Sequence, residues 1–299
     1  MSTQRPPTVD PIAAARWASL VPPASPWLHE EVARRMEERL EWIVKKPSVW
    51  LHWEPLQGGL QAHRLLTKRY PKSKAFVLES SVDKAQAAHK KIAKPWWSPA
   101  EWSAPKTVYA KPEKPVQMLW ANMALHMAAD PQALIAQWHG LVDVDGFLMF
   151  SCLGPDTLRE LRPLYAEFGW PPPTHTFTDM HDWGDMLVSQ GFAEPVMDME
   201  RITLSFSTPQ TLLAELRGLG RNLHAERFPG LRGRGWLAKF HDGLARQATQ
   251  TPDGRLQLSF EVIYGHAFKP PARLGVAPET RVSLDEMRKA LGQASGQRK

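Results

Sequence analysis

Hydrophobic and polar positions follow two regular patterns along most of the chain. In residues 30–46, apolar side chains recur on one stripe at Val32, Met36, Leu40 and Ile43, which predicts an amphipathic helix. Short apolar runs, such as residues 75–78 and 146–152, lie between such stretches and predict buried strands. Strands and helices that alternate at these lengths predict an α/β fold with a mostly parallel sheet and helices on both faces.

Breaks in the two patterns divide the chain into segments. Residues 1–28 are rich in proline and alanine, so we expect a loosely ordered N-terminal arm. One domain is predicted over 29–268. Inside it, 94–115 is an irregular segment rich in tryptophan, proline and lysine, and 208–250 is a mainly helical region. Residues 269–299 are expected to form a frayed tail.

Composition narrows the class of protein. A chain of 299 residues with 43% hydrophobic content can bury a full core, and no apolar run reaches the roughly 18 residues that a membrane span needs. Because no signal-peptide pattern opens the sequence, we expect a cytoplasmic protein. The single cysteine, Cys152, excludes an intrachain disulfide and a cysteine-based zinc cluster, and its apolar neighbours predict a buried, inert thiol.

The charge balance leaves several interpretations open. The net charge is +6, but 31 acidic residues are mixed with 37 basic ones. The densest basic stretch contains Arg217, Arg221, Arg227, Arg232 and Arg234. It is typical of a solvated face, of a docking patch for an acidic protein, or of a phosphate-binding stripe. An RNA-binding surface built on the 13 tryptophans is the weakest alternative, because several of them fall on predicted strands and helices.

The turn after the first predicted strand, 48–53, is the most informative local feature. The crevice at the carboxyl ends of parallel strands is where open α/β sheets bind nucleotide-like cofactors. Glycines usually form the turn there, since they let backbone N–H groups approach the ligand. In this chain Trp53, Glu54, Pro55 and Leu56 precede the first glycine, Gly58. The sequence therefore predicts a crevice whose cofactor binding is weakened or lost.

The second half of the chain resembles a known family. Residues 118–127 and 137–150 are similar to the fourth strand, helix and fifth strand of class I S-adenosylmethionine-dependent methyltransferases. Within that superfamily the chain resembles the malonyl-acyl-carrier-protein O-methyltransferase of biotin synthesis, on the stretches 150–158, 177–185, 194–200, 216–220 and 261–267. The resemblance spans about 27–268 and implies a Rossmann-like fold: a seven-stranded, mostly parallel sheet with an added helical substrate-side region.

The resemblance also implies a cofactor and the residues that would bind it. The cofactor is S-adenosylmethionine, and no metal is expected. Its implied contacts are Trp53, Glu54, Gly58 and Gly59 in the first turn, Glu79 on the ribose hydroxyls, and Asn122 with His126 after the fourth strand of the family. The alternative for Glu79 is a solvated residue at a strand end. Asn122 and His126 could equally be capping or packing residues.

In the family's chemistry, the malonyl carboxylate attacks the methyl group of the cofactor, so positioning matters more than a general base. Arginine is suited to hold that carboxylate through two hydrogen bonds. The candidate substrate residues are Arg217, Arg221, Asn222, His224 and Arg227, although ordinary surface charges are an alternative for the arginines. They could also contact an acidic acyl carrier protein. No catalytic residue is assigned.

Two functions remain from the sequence. One is a relative of these methyltransferases with weakened or lost cofactor binding. The other is an active O-methyltransferase that acts on the free carboxylate of a malonyl thioester. The first predicts that the side chain of Trp53 or Leu56 fills the methionine end of the crevice.

Overall fold

A computed structural model describes residues 9–92, 107–248 and 254–272. The strands are β1 (Val49–Trp53), β2 (Lys74–Leu78), β3 (Val116–Ala121), β4 (Val142–Leu153), β5 (Ala193–Phe206) and β6 (Leu256–Phe268). The helices are α1 (Pro11–Ala18), α2 (Trp27–Glu38), α3 (Pro55–Gly58), α4 (Gln61–Arg69), α5 (Val82–Ile92), α6 (Pro131–Leu141), α7 (Leu161–Glu167), α8 (Met180–Ser189), α9 (Pro209–Leu219) and α10 (Arg234–Ala248).

The strands form one sheet in the order β2-β1-β3-β4-β6-β5. The pairs β1–β2, β1–β3 and β3–β4 are parallel, and β6 runs antiparallel to both β4 and β5. The predicted α/β class and mostly parallel sheet are confirmed. The sheet has six strands within the described residues, so the predicted seventh strand is not confirmed. Val108 forms only an isolated parallel bridge to Phe76, and Pro112, which has no N–H to donate, soon follows.

Apolar side chains cover both faces of the sheet. One core cluster joins Trp50 and Trp120 of the sheet to Val32 of α2. The other joins Leu119 to Trp138 of α6 and to α8. Cys152 is fully buried in this second cluster, as predicted, and burial raises the pKa of its thiol. In the described part of the chain, no helix is both long and apolar enough to cross a bilayer.

The N-terminal segment is more ordered than predicted over residues 9–28. Asp10 caps α1, donates its N–H to the carbonyl of Leu223 at 2.9 Å, and pairs with Arg227 at 2.5 Å. Val9 and Ala14 are buried against the same Leu223. The expectation of a loose arm is therefore wrong for α1, because its few apolar side chains find partners on a distant loop. Most of the segment 94–115 and of the tail lies outside the described residues.

Two histidines are buried between β1 and α4. The rings of His52 and His63 stack at 5.7 Å, and His63 also lies 5.0 Å from the ring of Trp50. Burial lowers the pKa of His63 to about 4, and burial together with His63 lowers the pKa of His52 well below its ordinary value. Both rings are therefore neutral in the folded protein near pH 7.

This burial predicts an acid sensitivity of the fold. At His63 the unfolded chain binds a proton as pH falls below 6.5, while the folded chain resists it down to about pH 4, so stability is lost through that window. The lowered pKa of His52 acts in the same direction. We expect His63→Phe to reduce the loss of unfolding free energy between pH 7 and pH 4.5 by roughly 2 kcal/mol. Urea unfolding at the two pH values measures this. The free energy of unfolding of His181→Phe, a substitution at an exposed position, should fall between pH 7 and pH 4.5 by as much as that of the unsubstituted protein. An equal fall in His63→Phe would show that His63 is not a source of the acid sensitivity.

Candidate functional site

The turn after β1 is folded into a short helix, α3, instead of an open loop. Glu54 adopts the left-handed conformation (φ 45°, ψ 56°), which turns the chain from the strand into Pro55. The side chain of Leu56 is fully buried against Val77 of β2 and Ala88 of α5. The apolar residue that stands where a glycine-rich turn was expected therefore contributes to the core.

Six backbone N–H groups of this turn and of the start of α4 have acceptors within the protein. Leu56 donates to Oε1 of Glu79 at 2.9 Å. Leu60 and Gln61, at the start of α4, donate to the two carboxylate oxygens of Glu30, each at 2.9 Å. The remaining donors to backbone carbonyls are Glu54, Gly58 and Gly59, at 2.8–3.0 Å. These amides are the groups that a bound anion or cofactor would otherwise engage.

Glu79 lies where the resemblance places it, at the end of β2. Burial raises the pKa of its carboxyl to about 7; the bond from Leu56 opposes that rise and the nearby charge of Glu54 adds to it. One oxygen holds the Leu56 amide, and the other, Oε2, is buried without a hydrogen-bond partner among the described residues. Its role on a ribose stays a prediction.

Asn122 connects three parts of the site through side-chain hydrogen bonds. Its Nδ2 donates to the carbonyl of His29 at 2.9 Å and to that of Gly58, while its Oδ1 accepts from Ser151 at 2.6 Å. A Cβ built on Gly58 would lie 2.6 Å from the Asn122 carbonyl oxygen. Both residues are therefore used to pack α3 against the end of β3.

A small cavity lies beside this turn. Its volume is about 170 Å³, below the roughly 300 Å³ at which ligand pockets begin. Trp53, 8% exposed, forms one wall and contacts Trp138 edge to face at 6.0 Å. Leu56 is not among the residues that line it. Of the two side chains expected to fill the crevice, Trp53 borders the cavity and Leu56 packs against β2. The other lining residues include Trp17, His29, Glu54, Gly58, Asn122, Met127 and Leu219.

A larger cavity of about 630 Å³ lies next to the small one, and Met127 and Leu219 line both. Buried apolar and aromatic side chains form its floor, among them Leu161, Tyr165, Phe240 and Phe260. His126, expected at the cofactor, lines this larger cavity. Burial, then His175 and His29, lowers the pKa of His126 well below its ordinary value, so it is neutral near pH 7.

Two of the five predicted substrate residues are arginines that line this cavity. Arg217 lines it, and no hydrogen bond or ion pair to its guanidinium is found in the described ranges. Arg221 also lines it, donates to the carbonyls of Arg217 and Gly220, and lies 5.3 Å from the ring of Trp17. Partial burial, followed by the charge of Arg217, lowers the pKa of Arg221. The two cations therefore favour an anion near them.

The other three predicted residues have structural partners. Arg227 pairs with Asp10 and so anchors α1. Asn222, although it lines the larger cavity, donates Nδ2 to the carbonyl of Pro172 at 2.7 Å. His224 accepts from the backbone N–H of Glu226 at 3.0 Å.

Two residues of the turn and the larger cavity were not among the predicted site residues. Arg232 lines the larger cavity, donates to the hydroxyl of Tyr165 at 3.2 Å and lies 4.3 Å from the ring of Trp236; its position four residues before a tryptophan was the available signal. Glu30 had none, because it acts from a helix 30 residues before the amide it holds.

Comparison with known proteins places the chain in a family. It is 36% identical over 259 residues to a malonyl-[acyl-carrier protein] O-methyltransferase of Gallionella capsiferriformans, with 84% of this chain and 87% of the relative covered. The proteins of that name from Laribacter hongkongensis and a Methylovorus species are 36% and 32% identical, over 82% and 85% of this chain and 84% and 86% of their own lengths. The chain belongs to the malonyl-[acyl-carrier protein] O-methyltransferase family. No family model matches it.

Solved structures agree with this family on the fold. BH2331 of Bacillus halodurans, described as a presumed methyltransferase, superimposes with a TM-score of 0.51 at 14% identity, over 78% of this chain and 98% of its own. YcgJ of Bacillus subtilis superimposes with a TM-score of 0.52 at 9% identity, over 80% and 100%. The class I methyltransferase fold predicted from residues 118–150 is thus confirmed.

Within this family member, no group of three or more histidine, cysteine or acidic side chains is arranged to hold a metal ion, as far as the described ranges extend. That the protein needs no metal stays a prediction.

Two glycines should respond differently to replacement by alanine, because only Gly58 lies in the contact between α3 and β3. We expect Gly58→Ala to lower the free energy of unfolding by about 2 kcal/mol, because the new methyl group would meet the fixed Asn122 carbonyl. Gly140→Ala, in α6 with nothing within 4 Å of its Cβ position, should be neutral or add up to about 1 kcal/mol. Urea denaturation of both variants gives the comparison. Equal free energies for the two would show that α3 is not held closely against β3.

Proposed function

We propose that this member of the family retains the substrate half of the site, for the carboxylate of a malonyl thioester, while its binding of S-adenosylmethionine is weakened or lost. The observation that carries the proposal is the engagement of the turn amides by Glu30, Glu79 and backbone carbonyls. The residues present fit the cofactor poorly, because the donors it would need are bonded elsewhere.

The energetic cost of opening the turn supports this. Releasing the amides of Leu56, Leu60 and Gln61 breaks hydrogen bonds to carboxylates, each worth about 1.5 kcal/mol or more. Enlarging a cavity of about 170 Å³ would also require Trp53 to leave its contact with Trp138. A cofactor has to offset both costs before it gains net affinity.

The substrate half is supported by charge and shape. Arg217 and Arg221 are the cations that an ionised carboxylate would meet at the larger cavity. Arg232 and Arg234 extend the positive rim, which suits an acidic acyl carrier protein as partner. From the resemblance we propose a place in biotin synthesis and in the cytoplasm.

The alternative is an active O-methyltransferase. Glu79 favours it, since this carboxyl stands at the end of β2 with one oxygen unpartnered among the described residues. In that case the turn would have to rearrange when the cofactor binds, and Glu79 would exchange the Leu56 amide for the ligand.

Calorimetric titration with S-adenosylmethionine and S-adenosylhomocysteine separates the two proposals. We expect no heat and no thermal shift at millimolar ligand, because the turn is closed. A parallel titration with a malonyl thioester should give binding and shows that the same preparation is folded. Dissociation constants in the micromolar range for the cofactor would overturn the proposal, and methyl transfer to the malonyl carboxylate would be the next assay.

A variant at Glu79 makes the test sharper. If the alternative holds, Glu79→Ala should weaken cofactor binding at least tenfold, a loss of about 1.4 kcal/mol, while malonyl thioester binding is unchanged. If our proposal holds, the unsubstituted protein has no cofactor affinity to lose. An unchanged micromolar affinity in Glu79→Ala would remove this carboxyl from the site and leave the cofactor bound elsewhere.

A further inference from the structure

The larger cavity is much bigger than a malonyl group and is mostly apolar. Its floor consists of side chains that are at most 8% exposed, among them Leu153, Leu161, Tyr165, Phe240 and Phe260. The one hydroxyl among these, on Tyr165, already accepts a bond from Arg232 at 3.2 Å. The floor therefore offers few hydrogen-bonding groups to a polar thioester and a large apolar surface to a hydrocarbon chain.

The cations of the cavity are gathered at its rim. The floor is buried, whereas four arginines that line the cavity are exposed: Arg217, Arg221, Arg232 and Arg234. Arg221 also lies over Trp17, which lines the small cavity, so the Arg217–Arg221 pair stands where the two cavities meet. An amphiphilic ligand with one anionic end would place that end at the pair and its apolar end on the floor.

We propose that the larger cavity binds a medium-chain carboxylate, with the carboxylate between Arg217 and Arg221 and an alkyl chain of about six to ten carbons along the buried floor. A methylene group needs about the room of one water, so ten carbons occupy roughly 300 Å³, well inside the 630 Å³ present. The inference rests on the substrate half of the proposed function and extends its ligand class beyond malonyl.

Chain-length dependence tests the proposal directly. Calorimetry with acetate, hexanoate, octanoate and decanoate should show affinity rising about fourfold for each added methylene, the equivalent of about 0.8 kcal/mol. An affinity that does not change with chain length, or no binding of decanoate at millimolar concentration, would overturn it. Neither result depends on the cofactor titration, so failure here is distinct from failure of the proposed function.

Dicarboxylates of matched length distinguish two sources of the ligand. If octanoate binds more tightly than octanedioate, the far end of the chain is buried, as for a free fatty acid. If octanedioate binds as tightly or better, the far end of the chain reaches a polar exit. That result is expected for an acyl thioester whose ω-carboxylate is held by the arginines. Either order supports a carboxylate with an alkyl chain, and malonate should bind more weakly than both.

Variants locate the two ends of the ligand. Arg217→Gln should weaken every member of the series about tenfold and leave the fold intact, since no partner of its guanidinium is found in the described ranges. Lys239→Gln removes an exposed charge of α10 that does not line the cavity, and its affinities should be unchanged. Equal affinities for Arg217→Gln and Lys239→Gln would contradict the placement of the carboxylate.

The floor is tested by filling it. Leu213→Trp adds bulk at a partly buried lining position and should abolish the advantage of decanoate over hexanoate while hexanoate still binds. Circular dichroism and urea unfolding show whether the variant is folded. A folded Leu213→Trp that retains the full chain-length dependence would place the chain outside this cavity.

Discussion

Two carboxylates hold the turn after β1 in its observed form, and the shape of the site depends on them. Glu30 accepts the first amides of α4, and Glu79 accepts the amide of Leu56. A helix N-terminus attracts anions because its first N–H groups lack partners within the helix. In this protein a side chain from α2 satisfies that attraction, so the turn can be stable with Trp53 and Pro55 where flexible glycines were expected.

The same arrangement explains why the two cavities differ. The small one is limited by Trp53 and by the Asn122 contacts that hold α3 against β3. The larger one is formed by side chains of α7, α9, α10 and the sheet. The two share Met127 and Leu219, so the larger cavity opens directly beside the smaller one.

Sequence patterns predicted what depends on local periodicity. The α/β class, the helices on both faces and the buried Cys152 all follow from which positions are apolar. What could not be predicted depends on long-range pairing. Nothing in the sequence near Asp10 indicates that Arg227 is its partner, and nothing near Val108 indicates its bridge to Phe76. Within the site, the arginines could be proposed from the chemistry that the resemblance implies, but only the structure shows that Arg227 is paired with Asp10 while Arg217 and Arg221 line the larger cavity.

The first helix has a practical consequence for work with this protein. α1 carries Trp17, which forms part of the small cavity and lies under Arg221 of the larger cavity, and its cap Asp10 pairs with Arg227. Trimming the first twenty residues to obtain a more compact sample would therefore take away a wall of one cavity and a fixed neighbour of the other. Ligand affinities measured on such a shortened chain would describe a different site from the one seen with α1 in place.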